Sequence, residues 1–575
     1  MASTIDAAAR DRRSVAGRHG RAAQPFGLAR RSAPLALASS LAIVAALLVA
    51  TPVASLLVLA AQPTAELWSH LVAYVLPMAL RDTALLLAGV GVVALLVGGG
   101  TAWLVSLYDF PGRRLLLWLL PMPLAIPTYV SAYVYVDLFE PLGLAHRLLT
   151  TWLPAQDAVR LLPGLRSLPG AIVLIGGVLY PYVYLSVRAT LQHRSVELTE
   201  AARVLGAGPW QIRRRIALPT VRPAFALGLA LVCLETLNDI GASEYLGVRT
   251  LTVTIFTIWL NQGSLGGAAQ MSCLTLIIVA GLVVLERHGR RRGSVALSAE
   301  NPRIAARQRL RGLRGGLTAA ACGVPPLLGF IVPLAFLAYQ SAQRDLLAQA
   351  GAGLWRDALT TLGFATLATL IALLLGLAAV LAHRWRPTRL QATAEAVAQA
   401  GYALPGLVLA IGLLIPALAL DNGLGAVSAM LGWPAPGLVI VSSGAAVVAA
   451  YVIRFLAVST GLIKVGAGRI PRDYDDCAVV AGARPFAMLN RIHLPLLRPA
   501  MIGAVIIVFV DCLKELPATL LLRPLNVETL ATSIYQYASR GSFEDGALAA
   551  LLIVLASIGP VAWLTRDAAS PSGPA

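Results

Sequence analysis

Apolar residues gather along this chain in long runs rather than in short alternations. The first spans about Pro34 to Ala61. Others follow at about 83–107, 114–138, 169–192, 223–245 and 268–286, and then at about 316–339, 359–382, 397–420, 435–461, 500–522 and 545–564. A helix of roughly 20 residues crosses the hydrocarbon core of a bilayer. The pattern therefore predicts an all-α polytopic membrane protein with about twelve transmembrane helices, six in each half. The first run is too long for the core of a signal peptide. Pro123 and Pro127 interrupt the third run, and Pro405 and Pro416 the ninth. Prolines are tolerated in membrane helices where neighbours or a cavity satisfy the freed backbone groups.

The polar segments between the runs repeat. ELTEAARVLGAGPWQIRRRIALPTVRP begins at Glu197, and YDDCAVVAGARPFAMLNRIHLPLLRP begins at Tyr474. Glu200 pairs with Asp476, Gly206 with Gly482, Ile216 with Ile492, Pro219 with Pro495 and Pro223 with Pro499, each offset by 276 (476 − 200). Arg81-Asp82 resembles Arg356-Asp357, Pro127 answers Pro405, and Gly263-Ser264 answers Gly541-Ser542. Two halves with six helices each keep the same orientation, so the chain reads as a parallel duplication about an axis along the membrane normal. The expected divisions are a basic tail at 1–33, a first repeat at 34–286, an Arg-rich linker at 287–315 and a second repeat at 316–575.

Composition agrees with a membrane protein. Of 575 residues, 58% are hydrophobic and 13% charged, and the mean hydropathy is +0.75. A soluble fold cannot bury that much apolar surface. The net charge of +18 would suggest nucleic acid in a soluble protein. Here the arginines sit in short loops, so the bilayer is the expected partner and nucleic acid is not. With the N-terminus in the cytoplasm, the even-numbered connections carry most of the basic residues, the two repeated segments among them. The five cysteines have no CxxC spacing and the seven histidines no HExxH pattern, so they suggest buried thiols and no metal site.

Each repeated segment predicts a helix–turn–helix. EAARVL and DCAVVA are short helix formers, and Gly206 and Gly482 suit a helix end that needs positive φ. Pro209 and Pro485 fit a first helical position. The exposed aromatics Trp210 and Phe486 follow, and a second short helix is expected to run to Leu218-Pro219 and Leu494-Pro495. Such a knob fits a groove on a cytosolic partner. An amphipathic segment lying on anionic lipid would explain the arginines. It would not explain glycine, proline, aromatic and Leu-Pro recurring in register.

The runs after these segments carry carboxylates. Glu235 and Asp239 stand at i and i+4, expected on one helix face, and Asp511 and Glu515 repeat the spacing with Lys514 between them. Ionisable groups inside a membrane segment cost about 3 kcal/mol on insertion scales and face the bundle interior or a water path. They read equally as a translocation path and as an ion-pair cluster locking the halves together. The chain's two lysines, Lys464 and Lys514, follow Ile463 and Leu513, so neither makes the Gly-Lys-Ser/Thr of a P-loop.

The pattern Glu-Ala-Ala, three residues, Gly, nine residues, Ile-x-Leu-Pro resembles the signature loop of permeases of binding-protein-dependent ABC importers. The first copy carries it in full at Glu200-Ala201-Ala202, Gly206, Ile216 and Leu218-Pro219. The second has Asp476-Cys477-Ala478 but keeps Gly482, Ile492 and Leu494-Pro495. Segments 123–143, 235–256 and 514–539 further resemble those of fused ferric-iron permeases.

The resemblance implies a non-enzymatic permease of the bacterial inner membrane, importing Fe(III) handed over by a periplasmic binding protein. It implies two copies of a cytosolic ATPase, which hold the ATP and Mg, with no cofactor on this chain. The residues it implies for coupling are Glu200, Ala201, Ala202, Gly206, Ile216 and Pro219, with Asp476, Ala478, Gly482, Ile492 and Pro495; the exposed aromatics Trp210 and Phe486 of the predicted knob join them. Thiamine, phosphonate and polyamine permeases are the related alternatives. An ion-gradient transporter would share the carboxylates but need no paired docking loops.

Overall fold

A computed structural model describes residues 33–141, 143–154, 157, 162, 164–192, 196–291 and 307–569. The tail up to residue 32 and the linker arginines Arg292 and Arg303 lie outside these residues. Among the described residues, eleven helices are long and apolar enough to cross a membrane, or twelve if one bent pair counts as a span.

In the first half the helices used below are α1 (Ala33–Ala60), α2 (Leu76–Leu107), α3 (Thr128–Phe139), α4 (Leu168–Gln192), α5 (Leu218–Asn238), α6 (Ile240–Tyr245) and α7 (Leu265–Arg291). In the second half they are α8 (Gly312–Gln343, one span containing a π turn), α9 (Ala352–Trp385), α10 (Gly406–Met430), α11 (Ala445–Gly468), α12 (Leu494–Leu513), α13 (Pro517–Leu522) and α14 (Ala547–Ala569).

Several apolar runs are not single helices. The run at 114–138 divides at Pro127, where two segments meet at 94°. Pro127 is extended (φ −58°, ψ 141°) and opens α3; Pro405 has nearly the same geometry (φ −57°, ψ 140°) and opens α10. Proline suits such starts because a first-turn N–H has no helical acceptor. The runs at 223–245 and 500–522 break at Asp239 and at Lys514 to Leu516.

The halves exchange helices. α1 buries Leu35, Ala38, Ala42, Ala45, Val49, Pro52, Leu56 and Leu59, at alternating spacings of three and four residues. That stripe forms one continuous helix face. It packs on α9 and α10 of the second half as well as on α7. A Cβ on Gly412 of α10 would stand 2.5 Å from the Pro52 carbonyl oxygen, so only glycine permits the approach. Close contact of small residues is what holds membrane helices together, because lipid offers no hydrophobic penalty for separating them. In the opposite sense, α8 packs on α14 and reaches α2 and α3 of the first half. At one end of the bundle, Tyr108-Asp109 pairs in parallel with Gln308-Arg309.

The duplication extends to single hydrogen bonds. Thr83 Oγ1 accepts from the Leu251 N–H at 3.0 Å, and Thr361 Oγ1 accepts from the Leu530 N–H at 2.9 Å. Gly263 and Gly541 both take positive φ, 64° and 74°. The threonine pair sets a local offset of 278 (361 − 83). Arg81-Asp82 and Arg356-Asp357, offset by 275, are therefore similar in sequence without occupying equivalent positions.

Candidate functional site

The two repeated segments fold alike. Helix Val196–Val204 ends at Gly206 (φ 81°), and helix Asp473–Val480 ends at Gly482 (φ 75°). The N–H of Ala207 reaches the Ala202 carbonyl and that of Ala483 the Ala478 carbonyl, both at 2.9 Å. These six-to-one bonds close a left-handed helix cap and turn the chain sharply. Short helices Pro209–Ile212 and Pro485–Met488 follow. They do not end at Leu-Pro as expected. They run through π turns, Arg213–Ala217 and Leu489–His493, directly into α5 and α12. Pro219 and Pro495 have no N–H to donate, and a wider turn before them accommodates the carbonyls left without a partner.

Both turns present apolar side chains to solvent. Trp210 is 69% exposed and Phe486 60%, beside the exposed Val204, Leu205 and Val480. Glu200, Ala201 and Asp476 are exposed, Ala202 is half-buried and Ala478 buried. Ile216 and Ile492 lie half-buried in the π turns. A rigid turn carrying an exposed aromatic is a docking shape.

The second turn is also clasped to its own half. Arg384 at the end of α9 donates from Nε to Asp475 Oδ2 at 2.7 Å and from Nη1 to the Ala467 carbonyl at 2.7 Å. His493 Nε2 lies 2.9 Å from Asp475 Oδ1 without hydrogen-bond alignment. Burial alone would push the Asp475 carboxyl up, but His493 and Arg384 outweigh it and hold it below the ordinary value. In the first segment Thr199 stands where the second has Asp475 (475 − 276), so that position carries no carboxylate there.

The carboxylates meet in a second place, a cavity of about 70 Å³ between the halves, large enough for a few waters. Glu235, Asp239, Asp511, Lys514 and Glu515 all line it. They do not arrive there on continuous helix faces as expected, because the helix breaks inside each pair. Asp239 Oδ1 accepts from the Ala242 N–H at 2.9 Å and starts α6. Glu515 Oε1 accepts from the Ala518 N–H at 3.2 Å and starts α13. Asp239 is the N-cap of α6 and Glu515 lies one residue before the N-cap of α13, Leu516; each carboxylate satisfies an otherwise orphaned first-turn donor, so the second acid of each pair stabilises the break.

Arg454 of α11 completes the cluster. Its Nη1 donates to Glu515 Oε2 at 2.6 Å, and its Nη2 lies 3.8 Å from Glu235 Oε1 in the other half. The Tyr402 hydroxyl donates to Glu235, and the Gly406 N–H donates to Asn238 Oδ1 at 2.6 Å, both across the halves. Lys514 Nζ lies 2.9 Å from Asp511 Oδ1. The cluster thus contains cross-half ties and a polar cavity together.

The sequence reading missed Arg454, Tyr402 and Asn238. Arg454 carried a usable signal, since an arginine within an apolar run marks a functional position by default. Tyr402 and Asn238 carried none, because their roles depend on which helices face each other.

Residues 92–292 match the family described as "Binding-protein-dependent transport system inner membrane component", and residues 368–568 match it again. The two matches are offset by 276 (368 − 92), as the repeated segments are. The chain is 23% identical over 496 residues to the Fe(3+)-transport system permease protein FbpB 2 of Haemophilus influenzae, covering 85% of this chain and 90% of that one. It is 31% identical over 197 residues to the sulfate permease CysW of Escherichia coli, covering 32% of this chain and 64% of that one. Against the molybdenum permease ModB of the same organism it is 30% identical over 190 residues, covering 32% of this chain and 80% of that one.

Proposed function

The chain belongs to the binding-protein-dependent transport system inner membrane components, a family of non-enzymatic permease subunits, and from that premise we propose that it imports Fe(III) by alternating access. It is a multi-pass inner membrane protein with two fused permease repeats. In this reading both repeated turns face the cytoplasm, as does the N-terminus, and each docks one copy of an ATPase. The residues that couple are Glu200, Ala201, Ala202, Gly206, Trp210, Ile216 and Pro219, and Asp476, Ala478, Gly482, Phe486, Ile492 and Pro495. ATP and Mg reside on the ATPase. Closure of the ATPase pair draws the turns together and switches the bundle between two states. A periplasmic binding protein delivers the substrate to the opposite end. Glu235, Asp239, Asp511, Lys514 and Glu515 line the path.

The observation that carries iron is the alignment with FbpB 2 across both halves, whereas CysW and ModB each align with only a third of the chain. Four carboxylates in the cavity suit a hard cation that prefers oxygen ligands. The sulfate and molybdenum permeases among the relatives favour a second reading, an oxyanion held by Arg454 and Lys514. Uptake of radiolabelled Fe(III) and of labelled sulfate, measured with and without this chain, separates them. Iron uptake that depends on the chain supports the proposal. Chain-dependent sulfate uptake with unchanged iron uptake overturns it.

A further inference from the structure

The cavity cluster is lopsided. Its four carboxylates come two from each half, and both of its cations come from the second half. With the offset of 276, Arg454 corresponds to Val178 and Lys514 to Asn238, and both of those first-half residues also line the cavity. Formally, four negative groups face two positive ones. Arg454 is nearly completely buried, as is Glu515, and its guanidinium spans from Glu515 in its own half to Glu235 in the other. Gly406 makes room for this pair, since a Cβ there would stand 2.5 Å from Glu515 Oε1 and 3.1 Å from Arg454 Nη1.

The arrangement differs from an optimised structural ion pair. One arm is tight at 2.6 Å and the cross-half arm is loose at 3.8 Å. Nε of Arg454 donates to no described protein acceptor. A buried guanidinium with one tight and one loose carboxylate contact is displaced at less cost than one held tightly by both. Its position matters as well. Glu235 lies 17 residues beyond Leu218 in α5, and Asp511 17 residues beyond Leu494 in α12. At 1.5 Å per residue this sets the cluster about 25 Å along the helices from the repeated turns, well inside the bundle.

We propose that Arg454 is a tethered counter-ion that seals the path: it occupies the carboxylates Glu235 and Glu515 as they stand here and is displaced when a substrate cation takes its place. This rests on the reading that the path carries a cation. The arginine lowers the attraction of an empty acidic cavity for small cations, and its cross-half arm breaks when the halves separate. Arg454 thereby sets which ions pass and keeps the path tight between cycles.

The test uses the full-length chain in liposomes loaded with dipicolinate, without ATPase or ATP. Tb(III), a hard trivalent cation, is added outside, and its entry is read as luminescence. Arg454→Gln is expected to raise Tb(III) entry at least about tenfold over wild type while labelled sulfate stays excluded, and Arg454→Lys is expected to remain tight. Glu235→Gln, which weakens the cross-half arm of Arg454 together with the Tyr402 hydrogen bond to the same carboxylate, is expected to leak Tb(III) to an intermediate degree, so the proposal stays testable if Arg454→Gln does not fold. Leakage no greater than wild type in monodisperse Arg454→Gln, or in Glu235→Gln should the former not fold, overturns it. So does a variant equally open to sulfate. The iron reading fails separately, if wild type does not support Fe(III) uptake in cells; a Tb(III) leak in Arg454→Gln would then still establish the seal.

Discussion

Arg384 donates to Asp475 at 2.7 Å and so fastens the second repeated turn to the end of α9. The same guanidinium reaches the carbonyl of Ala467 in the last turn of α11 and those of Ile470 and Pro471 between α11 and the turn. One side chain thus holds the entry to the turn from four directions. Replacing Arg384 with Gln leaves a largely buried carboxylate and several carbonyls without their donor. We expect a loss of about 3 kcal/mol, within the range for breaking one side of a buried pair. The check is thermal unfolding in detergent.

The pH dependence of that clasp follows from its sign. Asp475 titrates below the ordinary value of 3.8, so it binds fewer protons folded than unfolded. Its stabilisation is complete above 3.8 and disappears as the pH falls through the lowered value. The stability gap between wild type and Asp475→Asn should therefore persist at neutral pH and close only in strong acid. A gap already closed at pH 5 would show that the clasp is not ionic.

Gly206 and Gly482 sit in the left-handed region with open space around them, so a side chain there meets backbone strain and no neighbour. A residue with a Cβ costs about 1–2 kcal/mol at such a position, and a β-branched one more. Gly→Val should therefore unbend the turn, and Gly→Asn should be milder. The two turns should not respond equally. The second is anchored by Arg384 and has already lost Glu-Ala-Ala, while the first depends on its own pattern. Gly206→Val is expected to reduce ATPase co-purification about tenfold, and Gly482→Val by a few-fold. Equal or reversed losses would refute the asymmetry.

Much of this arrangement is legible in the sequence because it is local. Gly206 and Gly482 follow from the chemistry of helix ends, and the spans follow from run length. The broken helices at Asp239 and Lys514 are not legible, since apolar runs hide a break that a carboxylate stabilises from within. The exchange of α1 onto the second half is equally hidden. Its stripe of Ala42, Ala45 and Val49 shows a packing face but not which helix fills it. Tyr402 and Asn238 belong to the same class, with partners 167 and 168 residues away.

Asp239 and Glu515 each accept a first-turn N–H of equivalent helices but differ in what else they hold, and that difference is measurable. Asp239→Asn keeps an acceptor for the Ala242 N–H, so α6 keeps its cap and the fold should lose less than the ~1 kcal/mol of a missing cap. Glu515→Gln also keeps an acceptor for the Ala518 N–H, but it leaves the buried Arg454 without its closest carboxylate. That should cost about 3–5 kcal/mol. Transport should fall in both variants if the carboxylates serve the path. In Asp239→Asn it should fall with unfolding temperature nearly unchanged, whereas in Glu515→Gln both should drop together. Transport retained in Asp239→Asn would assign that carboxylate to the helix break alone.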